Sequence, residues 1–268
     1  ERLGLKNFTG KKKKIFKIKY YDLIHYGFFE KAQNGKKLLI YNQGHGGSPF
    51  EFEYFSEIKK KFISKDYDIL SLSMTGIGFN EDLEIDFPGY KKNKISSNHY
   101  TYKTFYDPEK PNKEPLSLMT SGNYYLIKNL INNKNYEEII MVGISGGGWY
   151  TTILSAIIPE IKTSYSFAGT MPILLRVFDK FAGDWEQYDS SLFEILDYDS
   201  LYILSTLDEK FNSTRRHVQV YNKEDPCCFN EKSANLLKFI LNESYSINNF
   251  EIKIVDNNKH SIDTKFFF

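Results

Sequence analysis

A serine inside a run of glycines is the residue of this sequence best suited to chemistry. Residues 143–148 read Gly-Ile-Ser-Gly-Gly-Gly, with Ser145 in third place. A nucleophilic serine needs an exposed hydroxyl beside backbone N–H groups that can hold a negatively charged oxygen. The flanking glycines relieve crowding at a sharp strand-to-helix turn, and the helix N-terminus directs its N–H groups toward the reacting atoms. The segment therefore predicts acyl transfer at Ser145.

Phosphate binding is the alternative interpretation of this segment, because glycine-rich turns between a strand and a helix also bind phosphate groups. The spacing Gly-x-Gly-x-x-Gly of dinucleotide-binding turns is not met, since the position two after Gly143 is Ser145 itself. No Gly-Lys-Ser/Thr sequence follows for a nucleoside triphosphate. A serine nucleophile is the favoured interpretation.

An acid and a base are expected later in the chain, in the order serine, acid, histidine. Asp225 follows a strand-like segment that ends at Asn222, and His260 follows the last strand-like segment. We predict that His260 takes the proton from Ser145 and passes it to the leaving group, while Asp225 orients the imidazole. An ordinary Asp-Pro turn is the alternative interpretation of Asp225.

Other acids and histidines are weaker candidates for these two roles. The competing acids lie inside a predicted lid or too close to the final strand, and they are Asp208, Asp256 and the more distant Glu186. The competing histidines lie in or beside predicted strands or in a long irregular segment, and they are His25, His217 and His99. His45 is a separate case, because it lies in a second glycine-rich loop.

This second loop covers residues 44–47, Gly-His-Gly-Gly, and follows a short apolar segment that predicts a buried strand. A second donor for the oxyanion usually comes from such a loop. We predict that the N–H group of Gly146 and that of His45 or Gly46 point at the oxyanion, because glycine lets the backbone approach closely. The His45 imidazole is expected to brace the loop and not to react.

The elements that must position these residues alternate between strands and helices. Extended patterns occupy residues 15–30, as an antiparallel hairpin, and then 37–41, 67–74, 138–143, 165–169, 217–222 and 250–255. Helical patterns cover residues near 52–62, 116–131, 149–158 and 234–241. Alternation of this kind predicts an α/β fold with parallel strands and crossover helices. Residues that directly follow the strands then lie at one edge of the sheet.

The length of 268 residues and the single pattern of alternation predict one domain over residues 1–268. Two long segments, at about 75–115 and 170–214, break the pattern and are predicted to form a cap or lid. Their aromatic residues are expected to stack on sugar rings, to line an acyl pocket or to pack the cap: Tyr90, Tyr100, Tyr102, Phe105, Tyr106 and Trp185. Trp149, Trp185 and Arg176 are the candidates for substrate contact, and Asp184 and Glu186 beside them favour a polar substrate.

Composition excludes several classes of partner. Lys and Arg total 35 against 34 Asp and Glu, so the net charge of +1 provides no broad field for nucleic acid or an anionic membrane. The only basic run, at residues 11–14, is expected to be a solvated arm or strand edge. No run of apolar residues is long enough to span a bilayer, and no signal peptide is visible. The chain begins at Glu1, which is compatible with a removed leader, so the compartment is not assigned.

The two cysteines, Cys227 and Cys228, are neighbours and cannot link distant parts of the chain. Buried free thiols are the favoured interpretation. A strained vicinal disulfide or a metal site is the alternative.

The chain resembles the α/β-hydrolase superfamily over nearly its whole length. The resemblance lies in residues 143–147, the loop at 44–47, Asp225 and His260. The resemblance implies a mostly parallel eight-stranded sheet with helices on both faces, and acyl transfer with no metal or cofactor. The His45 loop is similar to that of bacterial esterases of the acetyl-xylan-esterase and dienelactone-hydrolase-like groups. The three successive glycines followed by Trp149 depart from the common pattern. The chain ends soon after His260, so the usual final helix is expected to be short or absent.

These expectations favour a carboxylesterase that acts on short acyl groups, such as O-acetyl groups of a carbohydrate, with a small-molecule or glycan ester as substrate. A serine peptidase or amidase, or an acyltransferase, would use the same three side chains. A non-catalytic binding protein is less favoured, because Ser145, Asp225 and His260 are all present. A long apolar lid is missing, which argues against a lipase. The oligomeric state is not assigned.

Overall fold

The computed structural model describes residues 10–20, 23–81, 84–85, 93–94, 115–179, 181, 183–212, 214–244 and 249–267. Contacts within the chain divide it into two compact units, the first unit Glu1–Glu138 and the second unit Ile139–Phe268. Each unit has its own layer of strands and its own helices. The single domain expected over residues 1–268 stays a prediction.

The strands of the first unit begin with the predicted antiparallel hairpin. Strand β1 (Lys13–Tyr20) pairs with β2 (Leu23–Glu30), and β2 runs antiparallel to β4 (Tyr67–Leu72). Strand β3 (Lys37–Asn42) pairs with β4 in parallel. The order in this unit is β1-β2-β4-β3, so the basic run at 11–14 leads into an edge strand, as predicted. A separate two-residue ladder joins β5 (Glu84–Ile85) to β6 (Asn93–Lys94).

Two helices of the first unit have the predicted positions. Helix α1 (Glu53–Ile63) connects β3 to β4 and buries Phe55, Ile58 and Phe62 on one face, at the spacing that predicts a helix. Each of these side chains contributes roughly 1.5–3 kcal/mol by leaving water. Helix α2 (Pro115–Asn133) contacts β1 and β2.

The strands of the second unit are all parallel. They are β7 (Glu138–Ile144), which starts at the unit boundary, β8 (Thr163–Phe167), β9 (Arg216–Asn222) and β10 (Phe250–Val255), paired in that order. Strands β7 and β9 are buried at every position after the first, as expected for strands with both faces covered. Because all four run the same way, their carboxyl ends lie at one edge of the sheet.

The helices of the second unit are α3 (Gly146–Ile157), α4 (Ser190–Phe193), α5 (Tyr198–Leu204) and α6 (Glu231–Ser244). Helix α3 starts three residues before the predicted Trp149, because the three glycines are part of its first turn. The last described element is a short 3₁₀ turn at Thr264–Phe267. The expectation of a short or absent final helix stays a prediction.

The two predicted insertions differ in how much of them the structure describes. Most of the first, at about 75–115, lies outside the described residues, and so do Tyr90, Tyr100, Tyr102, Phe105, Tyr106 and His99. The second, at 170–214, contains 3₁₀ turns at Ile173–Phe178 and Trp185–Tyr188 together with α4 and α5. Among the described residues, no helix combines the length and apolar character that crossing a membrane requires.

Candidate active site

Ser145 lies directly after β7 and directly before α3, in a strained backbone conformation. Its φ is +57° and its ψ is −131°. Positive φ is uncommon for a residue with a side chain, costs about 1–3 kcal/mol, and is concentrated at functional sites. The Ser145 N–H donates to Phe167 O at 2.9 Å, and its carbonyl accepts from Trp149 N at 3.0 Å. Strand β8 and helix α3 therefore hold the Ser145 backbone on both sides.

The glycines around Ser145 have separate structural reasons. A methyl group on Gly143 would overlap the carbonyl of Gly147, and one on Gly148 would lie 2.7 Å from the Cα of Gly169. Gly146 is the first residue of α3, where backbone N–H groups have no partner within the helix. Gly143 and Gly148 therefore serve close packing, and the first N–H groups of α3 have no acceptor within the helix.

Asp225 and His260 form a hydrogen-bonded pair. His260 Nδ1 lies 2.9 Å from Asp225 Oδ2 and 3.1 Å from Oδ1. The Asp225 side chain is buried and that of His260 is partly exposed. Asp225 follows β9 and His260 follows β10, so both lie at the sheet edge where Ser145 follows β7. The predicted acid and base are therefore in contact, and all three predicted residues leave the same edge of the second unit's sheet.

The surroundings of Asp225 favour its charged form. Burial, the largest single influence, would raise the pKa of Asp225, but the hydrogen bond and charge of His260 together with two backbone N–H groups lower this pKa below its ordinary value. These N–H groups are those of Cys227 and Cys228, which donate to Asp225 Oδ1 at 2.9 and 3.0 Å. An ionised Asp225 accepts the Nδ1 proton of neutral His260, which leaves Nε2 as the nitrogen that can accept a proton.

Asn222 is a further residue of this site that sequence reasoning missed. Its buried amide donates to the carbonyls on both sides of His260, at 2.8 Å to Lys259 O and 3.1 Å to Ser261 O. The same nitrogen lies 3.3 Å from Asp225 Oδ2. Asn222 therefore joins the loop of the base to the acid. An amide at the last position of a buried strand, directly before the loop of the predicted acid, is the signal that could have identified it.

Two of the other histidines are buried and lie inside strands. The Gln219 side-chain nitrogen donates to His217 Nε2 at 2.9 Å, so the ring proton is on Nδ1, 2.6 Å from Ser164 Oγ. Burial, followed by the charge of Arg215, lowers the pKa of His217 to about 3. His25, in the first unit, is fully buried, and burial lowers its pKa to about 4. Both rings are neutral and enclosed, which favours a structural role.

Asp208 is engaged in its own loop. Its Oδ1 accepts the N–H groups of Lys210 and Asn212 at 2.9 and 3.0 Å, and its Oδ2 accepts from Thr214 Oγ1 at 3.1 Å. These hydrogen bonds, the one from Asn212 foremost, lower the pKa of Asp208. This arrangement favours a role in stabilising the turn.

The three candidates for substrate contact differ in exposure. Trp149 is fully buried beside Tyr150, with 5.2 Å between ring centroids. Trp185 is 52% exposed. Burial favours a packing role for Trp149, and of the two tryptophans only Trp185 has surface that a substrate could contact.

Arg176 belongs to the second insertion and is buried. Its Nε donates to Met171 O at 2.7 Å, and its guanidinium carbon lies 5.1 Å from the ring centroids of Tyr188, Tyr198 and Phe229. Contacts with three aromatic rings favour a role in holding the insertion together.

The His45 loop lies in the first unit, directly after β3. Gly47 has a φ of +123°, which only glycine adopts without strain, and a side chain on Gly46 would press on Phe52. Ser48 Oγ accepts from Phe50 N at 3.4 Å and caps the 3₁₀ turn Pro49–Glu51 that follows. The assignment of His45 and Gly46 as oxyanion donors stays a prediction.

Cys227 and Cys228 are free thiols, but the expectation that both are buried is wrong. Cys227 is exposed and Cys228 is partly exposed. Their backbone N–H groups face the Asp225 carboxylate, and the tight turn that this requires at Pro226 leaves the Cys227 side chain at the surface.

Comparisons with known proteins identify the fold. The chain matches no protein-family model and no curated protein. Acetyl xylan esterase 1 from Thermoanaerobacterium sp. JW/SL YS485 is similar with a TM-score of 0.60 and 14% identity, over 97% of this chain and 82% of the other. Est1E from Butyrivibrio proteoclasticus is similar with a TM-score of 0.59 and 11% identity, over 94% of this chain and 93% of the other.

An acylaminoacyl peptidase from Pyrococcus horikoshii is also similar, with a TM-score of 0.57 and 15% identity. The match covers 96% of this chain but only 38% of the peptidase. At this level of identity the likeness shows the fold alone. The chain has the α/β-hydrolase fold, an eight-stranded and mostly parallel sheet with helices, as the sequence predicts.

Proposed function

We propose that this protein is a serine hydrolase that cleaves an ester through an acyl-enzyme, with Ser145 as nucleophile, His260 as base and Asp225 as the orienting acid. The observation that carries the proposal is the positive φ of Ser145 between a strand and a helix. The hydrogen-bonded pair of Asp225 and His260 leaves the same sheet edge and supports it. Backbone strain at a serine costs free energy of folding. The need to expose a nucleophile at a sharp turn accounts for this cost.

In the proposed reaction, Ser145 Oγ attacks the acyl carbon while its proton passes to His260 Nε2. The imidazolium then gives this proton to the leaving alcohol. Water next attacks the acyl group while His260 accepts a proton from it, and His260 returns a proton to Ser145 Oγ as the acid is released. The charge of Asp225 stabilises the imidazolium. The Gly146 N–H, and that of His45 or Gly46, are the proposed oxyanion donors, and loss of one such donor typically costs about 2.7–4 kcal/mol in the barrier.

A short acyl ester on a carbohydrate is the favoured substrate class. The fold is shared with an acetyl xylan esterase, and the second insertion presents the half-exposed ring of Trp185. An exposed aromatic face suits stacking on a sugar ring. Amide cleavage is the second candidate, because an acylaminoacyl peptidase has the same fold.

Covalent labelling tests the nucleophile directly. Purified protein is treated with an alkyl fluorophosphonate, digested, and examined by mass spectrometry for the modified peptide. We expect one adduct, at Ser145, and loss of p-nitrophenyl acetate hydrolysis in parallel with labelling. Ser145→Ala should abolish both, whereas Ser190→Ala, at an exposed serine of the second unit, should change neither.

Substrate class is tested with matched pairs of acetyl esters and acetyl amides, together with acetylated xylan. We expect a higher kcat/KM for the esters. Activity that persists in Ser145→Ala, or labelling at another serine, would contradict the proposed nucleophile. A preference for the amides would favour the peptidase alternative with the same residues.

A further inference from the structure

The sulfur atoms of two cysteines lie close to an imidazole nitrogen of the proposed base, His260. Ligand atoms of Cys227, Cys228 and His260 all lie within 4.8 Å of one another. Both cysteines are free, and Cys227 is exposed, so the cluster is open to solvent. The mechanism proposed above uses His260 but neither thiol.

The backbone around this cluster is held in place before any ligand arrives. Asp225 Oδ1 accepts hydrogen bonds from the N–H groups of both Cys227 and Cys228. The same carboxylate is hydrogen-bonded to His260 Nδ1. Asn222 fixes the carbonyls on both sides of His260. The three candidate ligands are therefore positioned by one buried carboxylate and one buried amide, which reduces the ordering that a bound ion would have to cause.

This set of donor atoms matches a thiophilic cation of the zinc class. Zinc binds thiolate at about 2.3 Å and imidazole at about 2.0–2.1 Å in a tetrahedron, which places ligand atoms roughly 3.4–3.8 Å apart. The observed atoms therefore need to approach by at most about 1.4 Å, which side-chain rotation at the exposed Cys227 can supply. Water completes the fourth position. Calcium and magnesium are disfavoured, because they prefer oxygen ligands.

We propose that Cys227, Cys228 and His260 form an inhibitory site for a zinc-class divalent cation, which regulates the hydrolase by engaging its base. The metal site rests on the geometry of the three side chains, and its inhibitory effect rests on the proposed function. On binding, the two thiols release two protons to solvent and the ion gains two thiolate bonds and one imidazole bond. No oxidant or reductant takes part.

Binding stops catalysis whichever nitrogen of His260 takes the metal. At Nε2 the ion occupies the lone pair that would accept the Ser145 proton. At Nδ1 it displaces the Asp225 carboxylate and leaves the ring in the wrong tautomer for catalysis. In either case, removal of the ion by a chelator restores the hydrogen bond between Asp225 and His260. The inhibition is therefore reversible.

A binding experiment that does not depend on hydrolysis tests the site. Full-length protein reduced with a phosphine is titrated with ZnCl₂ against a chromophoric chelator, and separately with CoCl₂ for thiolate-to-cobalt charge-transfer absorption. We expect one zinc ion per chain and a sulfur-to-cobalt band. The double variant Cys227→Ser/Cys228→Ser should lose the band and bind zinc at least about tenfold more weakly, while Glu224→Gln, on the same loop, should bind like the wild type.

An activity experiment tests inhibition. Zinc should lower the rate of p-nitrophenyl acetate hydrolysis by the wild type at least about tenfold at saturation, and EDTA should restore it. Each variant is compared with its own zinc-free rate, and the double cysteine variant should be insensitive at the zinc concentration that half-inhibits the wild type.

The outcomes separate the two proposals. Unchanged zinc affinity in the double variant, or hydrolysis insensitive to zinc at saturation, would overturn the inhibitory site. Thiol-dependent zinc binding in a protein that hydrolyses no ester or amide and resists the fluorophosphonate would contradict the proposed function and support the metal site. Inhibition reversed by a reductant and not by EDTA would indicate thiol oxidation and overturn the zinc site.

Discussion

Gly148 and Gly169 pack backbone against backbone. A methyl group on Gly148 would lie 2.7 Å from the Cα of Gly169, and one on Gly169 would lie 2.5 Å from the Cα of Gly148. The contact brings the first turn of α3 against the segment that follows β8. Since Ser145 donates its N–H to Phe167 O at the end of the same strand, this packing and the strained serine belong to one rigid arrangement.

Replacement of Gly148 by alanine should destabilise the protein. In a helix, glycine to alanine normally stabilises by about 0.5–1 kcal/mol, because it removes flexibility from the unfolded chain. Here the methyl group has no space, and we expect a loss of about 1–3 kcal/mol in the free energy of unfolding, measured by urea titration. A stabilised or unchanged variant would show that α3 can shift away from Gly169, contrary to this account.

Asp225→Asn should remove most of the activity without unfolding the protein. The amide keeps the size of the side chain but loses the charge that stabilises protonated His260 and selects its tautomer. We expect kcat for an acetyl ester to fall by about 10²–10⁴-fold. Asp208→Asn is the matched control, because the described hydrogen bonds of the Asp208 carboxylate are to its own turn. The kcat of this variant should stay within about twofold of that of the wild type. Comparable losses in both variants would argue against Asp225 as the acid.

Asn222→Ala should act on turnover through the position of His260. Loss of the amide frees the carbonyl of Lys259 and leaves that of Ser261 bonded to Asn257 Nδ2. Small displacements of a catalytic group typically cost about 10²-fold in rate. We expect kcat to fall by roughly 10–100-fold with little change in KM. The control is Asn258→Ala, at an exposed residue of the same loop. A rise in KM with unchanged kcat would instead indicate that Asn222 serves substrate binding.

Acid should weaken the fold through two buried histidines. In the folded protein the pKa of His25 is about 4 and that of His217 is about 3, against an ordinary value of 6.5. As pH falls, both histidines therefore become protonated in the unfolded chain before they do so in the folded protein. The unfolded state therefore binds more protons below pH 6.5, and stability falls as pH decreases toward the folded values. Between pH 7 and pH 5 the expected loss is about 2 kcal/mol for each histidine.

Urea titrations at several pH values measure this loss. His217→Asn retains a donor for Ser164 but cannot be protonated, so its stability should depend less on pH than that of the wild type over this interval. A pH dependence equal to that of the wild type would show that His217 is protonated in the folded state.

Local patterns predict most of the fold. The bounds of β3, β4, β7, β9 and β10 agree with the predicted extended segments within about two residues, because apolar and β-branched residues recur along these strands and glycine or polar residues follow each of them. The local pattern predicts that α3 starts at Trp149, three residues too late, since glycine is a poor helix former and the packing of Gly148 against Gly169 is invisible in the local sequence.

The sequence by itself determined the order of strands and helices and the positions of Ser145, Asp225 and His260 after strand ends, because these follow from periodicity and turn chemistry within short segments. Only the tertiary structure decided that Asp225, and not Asp208, contacts His260, that Asn222 joins their loops, and that Arg176 is buried while Cys227 is exposed. Such features depend on which distant segments pack together, and burial and hydrogen-bond partners arise only when the chain has folded.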